Sequence, residues 1–273
     1  MGALDQIGGW DVPNVAAAVF TPSDVLETRG ETTRQFPLAS VSKVLAAVTI
    51  HVATEEGSIA LDDPAGPEGS TVAHLLAHAS GLPPDGDGAP LGPPGNKRIY
   101  SNLGFEELGR HLTDATGMTY EEYARVALVD TLGLSATDVS GSPAHAHRST
   151  VDDLVALLQA VTTNRLLAPT TVERMTTPAY PDLAGVLPGY GRQDPNPWGL
   201  GVEIRGDKSP HWTARENTAQ TWGHFGRSGT FVWFDPAAGT DGLGLVVLTD
   251  RDFDQWAIDA WPPLATAVLQ EHA

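Results

Sequence analysis

Ser40 and Lys43 stand three residues apart in the stretch Phe36-Pro37-Leu38-Ala39-Ser40-Val41-Ser42-Lys43. On a helix that offset puts both side chains on one face, within reach of each other. The chain holds only three lysines, Lys43, Lys97 and Lys208, and the first falls in an otherwise apolar segment. Burial beside Val44 and Leu45 would make its ammonium easier to deprotonate, so Lys43 is a candidate base for the Ser40 hydroxyl. A serine is a poor nucleophile at neutral pH without such a partner, and with one it can carry acyl transfer. Free N–H groups at a helix N-terminus, including that of Ser40, can also favour a developing oxyanion. The plain alternative is a capping serine followed by a solvent-facing lysine.

Two further groups supply what acyl transfer needs beyond the nucleophile. Tyr100-Ser101-Asn102 follows the turn Pro93-Pro94-Gly95 and precedes a predicted helix from Leu103. There Tyr100 can share a proton with Lys43, and Asn102 can hold Lys43 or a substrate carbonyl, although an Asn at this position can equally be a simple cap. His224-Phe225-Gly226-Arg227-Ser228-Gly229-Thr230 joins two predicted strands. Its glycines allow close backbone approach to a ligand, the Arg227 N–H is a second candidate oxyanion donor, and His224 would edge the pocket.

The elements that must position these residues are strands at both chain ends with helices between. Asn14 to Phe20 and Val25 to Gly30 read as a hairpin, and Val41, Val44, Leu45, Val48 and Val52 recur at helical spacing up to Gly57. From Asp62 to Tyr190 short helices dominate: Thr71 to Ala79, Leu103 to Thr116, Thr119 to Val129, Thr150 to Thr163 and Pro169 to Thr176. The Gly/Pro/Asp-rich stretch from Pro83 to Pro94 reads as a surface loop. Strands return at Trp198 to Arg205, Gln220 to His224, Thr230 to Asp235 and Leu243 to Thr249, before a last helix from about Asp254 to Gln270. The expectation is an α+β fold: an antiparallel sheet built from both chain ends and flanked by helices, with an all-helical lobe inserted. Residues 1–61 and 191–273 would form one lobe and residues 62–190 the other, with the cleft between them.

In this order the three groups resemble the serine β-lactamase and penicillin-binding-protein superfamily, closest to its branch of class C β-lactamases, family VIII esterases and D-alanyl-D-alanine-peptidase-like proteins. Leu75-Leu76-Ala77-His78-Ala79-Ser80-Gly81-Leu82-Pro83 and Phe231-Val232-Trp233-Phe234-Asp235-Pro236 also look like segments of that branch. The resemblance runs from about Val15 to Arg251. It implies a β-lactamase/transpeptidase-like fold, Ser40 as the acylated nucleophile, Lys43 and Tyr100 as the proton-transfer pair and Asn102 as their positioner. Gly226 would give access, and the N–H groups of Ser40 and Arg227 would form the oxyanion hole. His224 takes a position where β-lactamases usually carry Lys and many esterase-like relatives carry His. That departure removes a fixed charge suited to a β-lactam carboxylate and moves the expected substrate toward small esters or amides, with lactam or peptide cleavage as the rival and a non-catalytic peptide- or lactam-binding protein as the alternative of another class.

Composition excludes several other classes. A net charge of −18 disfavours nucleic acid and anionic membranes as partners, and the absence of cysteine removes thiol nucleophiles and thiolate metal sites. No apolar run approaches the roughly 20 residues that span a bilayer. Met1 to Gln6 lacks a basic start and an apolar run, so a cytoplasmic location is expected. Neither a metal nor an organic cofactor is expected. His74 and His78 lack the Glu of a zinc motif and read as structural, His145 and His147 read as solvent-exposed, and Asp85-Gly86-Asp87-Gly88 reads as a turn lacking the downstream Glu of a calcium loop. The dispersed tryptophans belong to the core, with Trp198 and Trp222 expected at the border of the cleft.

Overall fold

A computed structural model describes residues 2–86 and 88–273. Its centre is a six-stranded antiparallel sheet. The strands are β1 (Val15–Phe20), β2 (Val25–Arg29), β7 (Glu203–Ile204), β8 (Trp222–Gly226), β9 (Thr230–Asp235) and β10 (Leu243–Thr249), in the order β2-β1-β10-β9-β8-β7. The first and last strands of the chain are neighbours, with Val15 opposite Thr249 and Phe20 opposite Gly244. The sheet is thus built from both chain ends, as the sequence predicts.

Both faces of the sheet are covered, which is why its inner strands are almost wholly apolar rather than alternating. Side chains still alternate between two cores. Ala16, Ala18, Phe20, Val232, Phe234, Val246 and Leu248 join one core with the helices α1 (Ser42–Glu55), α3 (Asn102–Thr116) and α5 (Val151–Thr162). Ala17, Val19, Phe231, Trp233, Leu245 and Val247 join the other, against the short N-terminal helix Ala3–Gly9 and α7 (Gln255–His272). Helix α1 is buried nearly all round, as its Val/Ala/Leu-rich sequence requires, and lies over the sheet with its first turn beside the β8–β9 hairpin.

Several boundaries differ from the sequence expectation. The middle region also contains α2 (Val72–Leu76), α4 (Tyr120–Ala124) and α6 (Pro169–Thr176), but it is not all-helical. Strand β4 (Arg148–Ser149) pairs with β3 (Phe36–Pro37), and β5 (Gly185–Leu187) pairs with β6 (Gly191–Gln193). These pairs are two or three residues long, too short for an alternation to register. Helix α2 stops at Leu76, because Ala77 leaves helical geometry and His78 takes φ +53°. Only Glu203–Ile204 of the expected Trp198–Arg205 strand pairs with the sheet. Among the described residues no helix is long and apolar enough to cross a membrane.

Candidate active site

Ser40 lies in a single 3-10 turn, Ala39–Val41, that leads into α1 rather than in the first turn of α1 itself. Ala39 holds φ +46°, a conformation that costs a residue with a Cβ about 1–3 kcal/mol and persists only where its surroundings enforce it. Here the enforcement is visible. Leu38 N–H donates to His147 O (2.9 Å), while Leu38 O accepts from the Thr230 hydroxyl (2.9 Å). On β8 the alternation sends Trp222, His224 and Gly226 to the α1 side. A Cβ at Gly226 would lie 2.5 Å from Leu38 O and 3.1 Å from Ala39 Cβ, so only glycine lets the strand meet the turn that bears Ser40. Gly226 therefore seats the turn rather than opening access for a ligand.

Lys43 is fully buried. Its Nζ donates to Asn102 Oδ1 (2.6 Å) and to Ala144 O (2.8 Å) and sits 4.8 Å over the Tyr100 ring. Burial lowers its pKa to about 7, against the opposing pull of Asp85 and Glu106. A neutral amine with both protons donated to fixed acceptors retains one lone pair for an incoming proton. The Tyr100 hydroxyl lies beside Ser40, and burial raises its pKa well above the ordinary phenol value, so the phenol stays protonated. The fold thus brings Ser40, Lys43, Tyr100 and Asn102 together, with Lys43 bonded to Asn102 and facing the Tyr100 ring, and Tyr100 beside Ser40.

The helix cap explains how Asn102 is free to serve. The cap of α3 is Ser101, whose Oγ accepts from Gly104 N–H (3.0 Å) and donates to Pro83 O (2.6 Å). Asn102 is the first helical residue, and its Nδ2 donates to Asp85 Oδ1 (2.8 Å). That bond fixes which end of the amide faces Lys43. Asp85 therefore belongs to the site, although its Gly/Asp context reads only as a turn. The neighbouring Asp87 lies outside the described residues.

His78 supports Tyr100 from below. Its Nδ1 accepts from Ser101 N–H (3.1 Å), and its ring lies 4.7 Å from that of Tyr100 and 4.6 Å from that of Trp198. Arg98 anchors the same loop by donating to Asn196 O (3.0 Å), Ala179 O (2.8 Å) and Tyr180 O (2.9 Å). His74 stacks on Tyr180 instead, so the two histidines share no ligand. His145 is exposed as expected, but His147 is buried, stacked on Tyr120 at 5.7 Å, because its backbone braces both Leu38 and, through its N–H, Ser42 Oγ (3.1 Å).

These groups open on a cleft of about 400 Å³ lined by Ser40, Tyr100, His224 and Arg227, with an apolar wall of Leu187, Pro188, Trp198, Phe225 and Phe253. Leu187 and Pro188 of this wall come from the β5–β6 turn. There Gly189 has φ +78°, and a Cβ on it would meet the Phe253 ring at 2.7 Å. Trp222 is not part of this wall; it packs on Phe234 in the sheet. The Arg227 side chain is 86% exposed on the rim, 3.7 Å from Asp252.

His224 is buried, and its Nδ1 lies 2.7 Å from Phe225 O. That carbonyl can only accept, so Nδ1 carries the proton and Nε2 a lone pair. Burial and the nearby Lys43 lower its pKa to about 3, which leaves the ring neutral. Behind it lies Glu203, which accepts from Lys208 Nζ (2.5 Å), His211 Nε2 (2.9 Å) and Trp212 Nε1 (2.7 Å). Burial opposes ionisation of Glu203, but Lys208 and His211 together outweigh it and hold the carboxyl at about 2. The wall of the cleft thus contains a paired carboxylate and a neutral imidazole.

The family model for β-lactamase matches residues 7–268. The chain belongs to the β-lactamase family. Within the family, the crystal structure of a β-lactamase from Mycobacterium bovis is 48% identical, with 98% of each chain covered and a TM-score of 0.95. An octameric penicillin-binding protein homologue from Pyrococcus abyssi shares the fold at 19% identity (98% of this chain, 76% of that one, TM-score 0.75). So does simvastatin synthase from Aspergillus terreus at 16% identity (98% and 92%, TM-score 0.76). A comparison with curated proteins found no match. The family membership and the mixed fold with its helix-flanked antiparallel sheet agree with the resemblance read from the motifs.

Proposed function

We propose that the chain is a serine hydrolase that acylates Ser40 with small neutral esters or amides bearing an apolar arm, a carboxylesterase-like activity. The observation that carries this is the neutral, buried His224 in an apolar cleft, where a lysine would have offered an anionic substrate a cation. Lys208 is committed to Glu203, and Glu203 itself disfavours a nearby substrate anion.

In the proposed reaction, neutral Lys43 takes the Ser40 proton through the Tyr100 hydroxyl as Ser40 Oγ bonds to the substrate carbonyl carbon. The N–H groups of Ser40 and Arg227 hold the oxyanion. On collapse the leaving alcohol or amine takes the proton back along the same path. Water then repeats the sequence in reverse, releasing the acid and restoring the Ser40 hydroxyl. Lys43 is the base of this pair, since its pKa is near neutrality while that of Tyr100 is raised.

A second reading, β-lactam hydrolysis, is favoured by the name of the Mycobacterium bovis relative and by Arg227 on the rim. Mass spectrometry after fluorophosphonate treatment should show one adduct that Ser40→Ala abolishes; an adduct persisting in that variant overturns the assignment of the nucleophile. Rates on p-nitrophenyl butyrate and on a chromogenic cephalosporin order the two readings. Cephalosporin turnover well above ester turnover puts β-lactam hydrolysis first.

A further inference from the structure

The rings of His78 and His224 both carry a buried Nε2 without a hydrogen-bond partner among the described residues, but the two atoms have opposite character. His78 accepts at Nδ1 from Ser101 N–H, so its Nε2 bears the proton; its ring is enclosed by Tyr100, Phe105 and Trp198 and lies outside the cleft lining. His224 is different. Its Nδ1–H is spent on Phe225 O at 2.7 Å, and its ring lines the cleft beside Ser40 and Tyr100. The free Nε2 is therefore an acceptor whose ring borders the space a substrate occupies.

A buried acceptor left unpaired is costly, and native proteins pair such atoms with protein, water or ligand. Protonation does not relieve it. The ring is 3% exposed and faces the field of Lys43, which keeps it neutral. A lysine in its place would donate, whereas this imidazole can only accept, so the polarity of the contact is reversed. Tyr100 and Trp198, whose rings lie 5.9 and 5.5 Å from that of His224, carry a hydroxyl and an indole N–H, yet neither is bonded to Nε2.

We infer that His224 Nε2 is a specificity-determining acceptor that selects substrates carrying a hydrogen-bond donor, a hydroxyl or an amide N–H, close to the scissile carbonyl. The inference rests on the proposed acyl-transfer reading for the type of molecule that enters the cleft. A site built to pair a donor discriminates against the analogue lacking it far more strongly than an apolar pocket discriminates a methylene, because the buried acceptor is then left bare.

The test separates binding from turnover. Methyl butyrate, methyl 2-hydroxybutyrate, methyl 3-hydroxybutyrate and 2-hydroxyethyl butyrate are titrated into Ser40→Ala, followed by tryptophan fluorescence, since Trp198 lines the cleft. Methyl N-acetylalaninate is compared in the same way with methyl 2-acetoxypropanoate, which lacks the N–H. At least one donor-bearing ester should bind about tenfold or more tightly than its matched partner. Adding His224→Leu should bring that ratio close to one, and His224→Gln, which retains an acceptor, should restore part of it. Equal affinities throughout each matched set in Ser40→Ala overturn the inference, as does a ratio that survives His224→Leu. Turnover of the same esters by the unmodified enzyme reads the esterase proposal by itself: hydrolysis without discrimination sinks only the inference, and selective binding without hydrolysis sinks only the esterase proposal.

Discussion

Replacing Asp85 by Asn should shift the pH dependence of acylation without dismantling the site. The acceptor is preserved, because the amide oxygen of Asn can still take the bond from Asn102 Nδ2 that Asp85 Oδ1 takes at 2.8 Å. Only the charge is lost. Asn102 Oδ1 in turn holds Lys43 Nζ at 2.6 Å, which puts the lost charge about 7 Å from the ammonium by summing the two bonds across one amide. At that separation, and with an effective dielectric of about 40 to 80 for an exposed carboxylate, Coulomb's law gives a coupling of about 0.4 to 0.9 of a pH unit. The sign follows from the charges: Asp85 stabilises protonated Lys43, so its removal lets the amine deprotonate at lower pH. The profile of kcat/KM for p-nitrophenyl butyrate should rise through about pH 7 in the parent and through about pH 6 to 6.6 in Asp85→Asn. Salt at 0.5 M should shrink the difference. An unmoved limb, or one displaced to higher pH, would show that Lys43 is not the group whose deprotonation limits acylation.

Two other substitutions probe the frame around the site. Gly226→Ala brings a Cβ to 2.5 Å from Leu38 O and 2.6 Å from Thr230 Oγ1, so the turn bearing Ser40 must shift, and kcat should fall on the order of 10²-fold in single-turnover measurements; parental kcat would mean the turn has slack. Glu203→Gln strips Lys208 of its buried counterion and should lower the free energy of urea unfolding by about 3 to 5 kcal/mol at pH 7. Because the Glu203 carboxyl is held at about 2 in the folded chain against an ordinary 4.5, the parent should lose this component as pH falls from about 4.5 toward 2, and the variant should lack that loss. A change below about 1 kcal/mol at pH 7 would remove the pair from any account of stability.

What the sequence made legible was the chemistry carried by short local offsets. Ser40 and Lys43 are linked by helical spacing, Tyr100 and Asn102 by a helix start, and each is read within a few residues. The long elements were legible for the same reason: strands Thr230–Asp235 and Leu243–Thr249 and helix Pro169–Thr176 lie where the pattern of apolar residues and turn signals puts them. What escaped was whatever depends on contacts between distant segments. Ala144 offers Lys43 only a backbone carbonyl, which no residue type advertises. His147 looks like a loop residue until β4 folds onto β3 and buries it. Asp85 sits in a string of turn formers, and its one functional bond goes to a residue seventeen positions later. Glu203 falls in the expected strand Trp198 to Arg205 and Trp212 among the tryptophans assigned to the core, but no local pattern ties either of them to Lys208 and His211. The structure brings all four together under the cleft.

The pairing of β1 with β10 has a consequence for how the molecule comes into being. Residues separated by some 230 positions must meet before the middle of the sheet exists, and loop closure over such a span delays native contacts relative to local ones. During synthesis α1 and its Ser40 turn emerge early, yet Thr230 and Gly226, which hold that turn in its unfavourable backbone geometry, arrive nearly two hundred residues later. The Ser40 turn is therefore completed late although it is synthesised early, and an incomplete chain carries Ser40 without the geometry that the proposed acyl transfer needs.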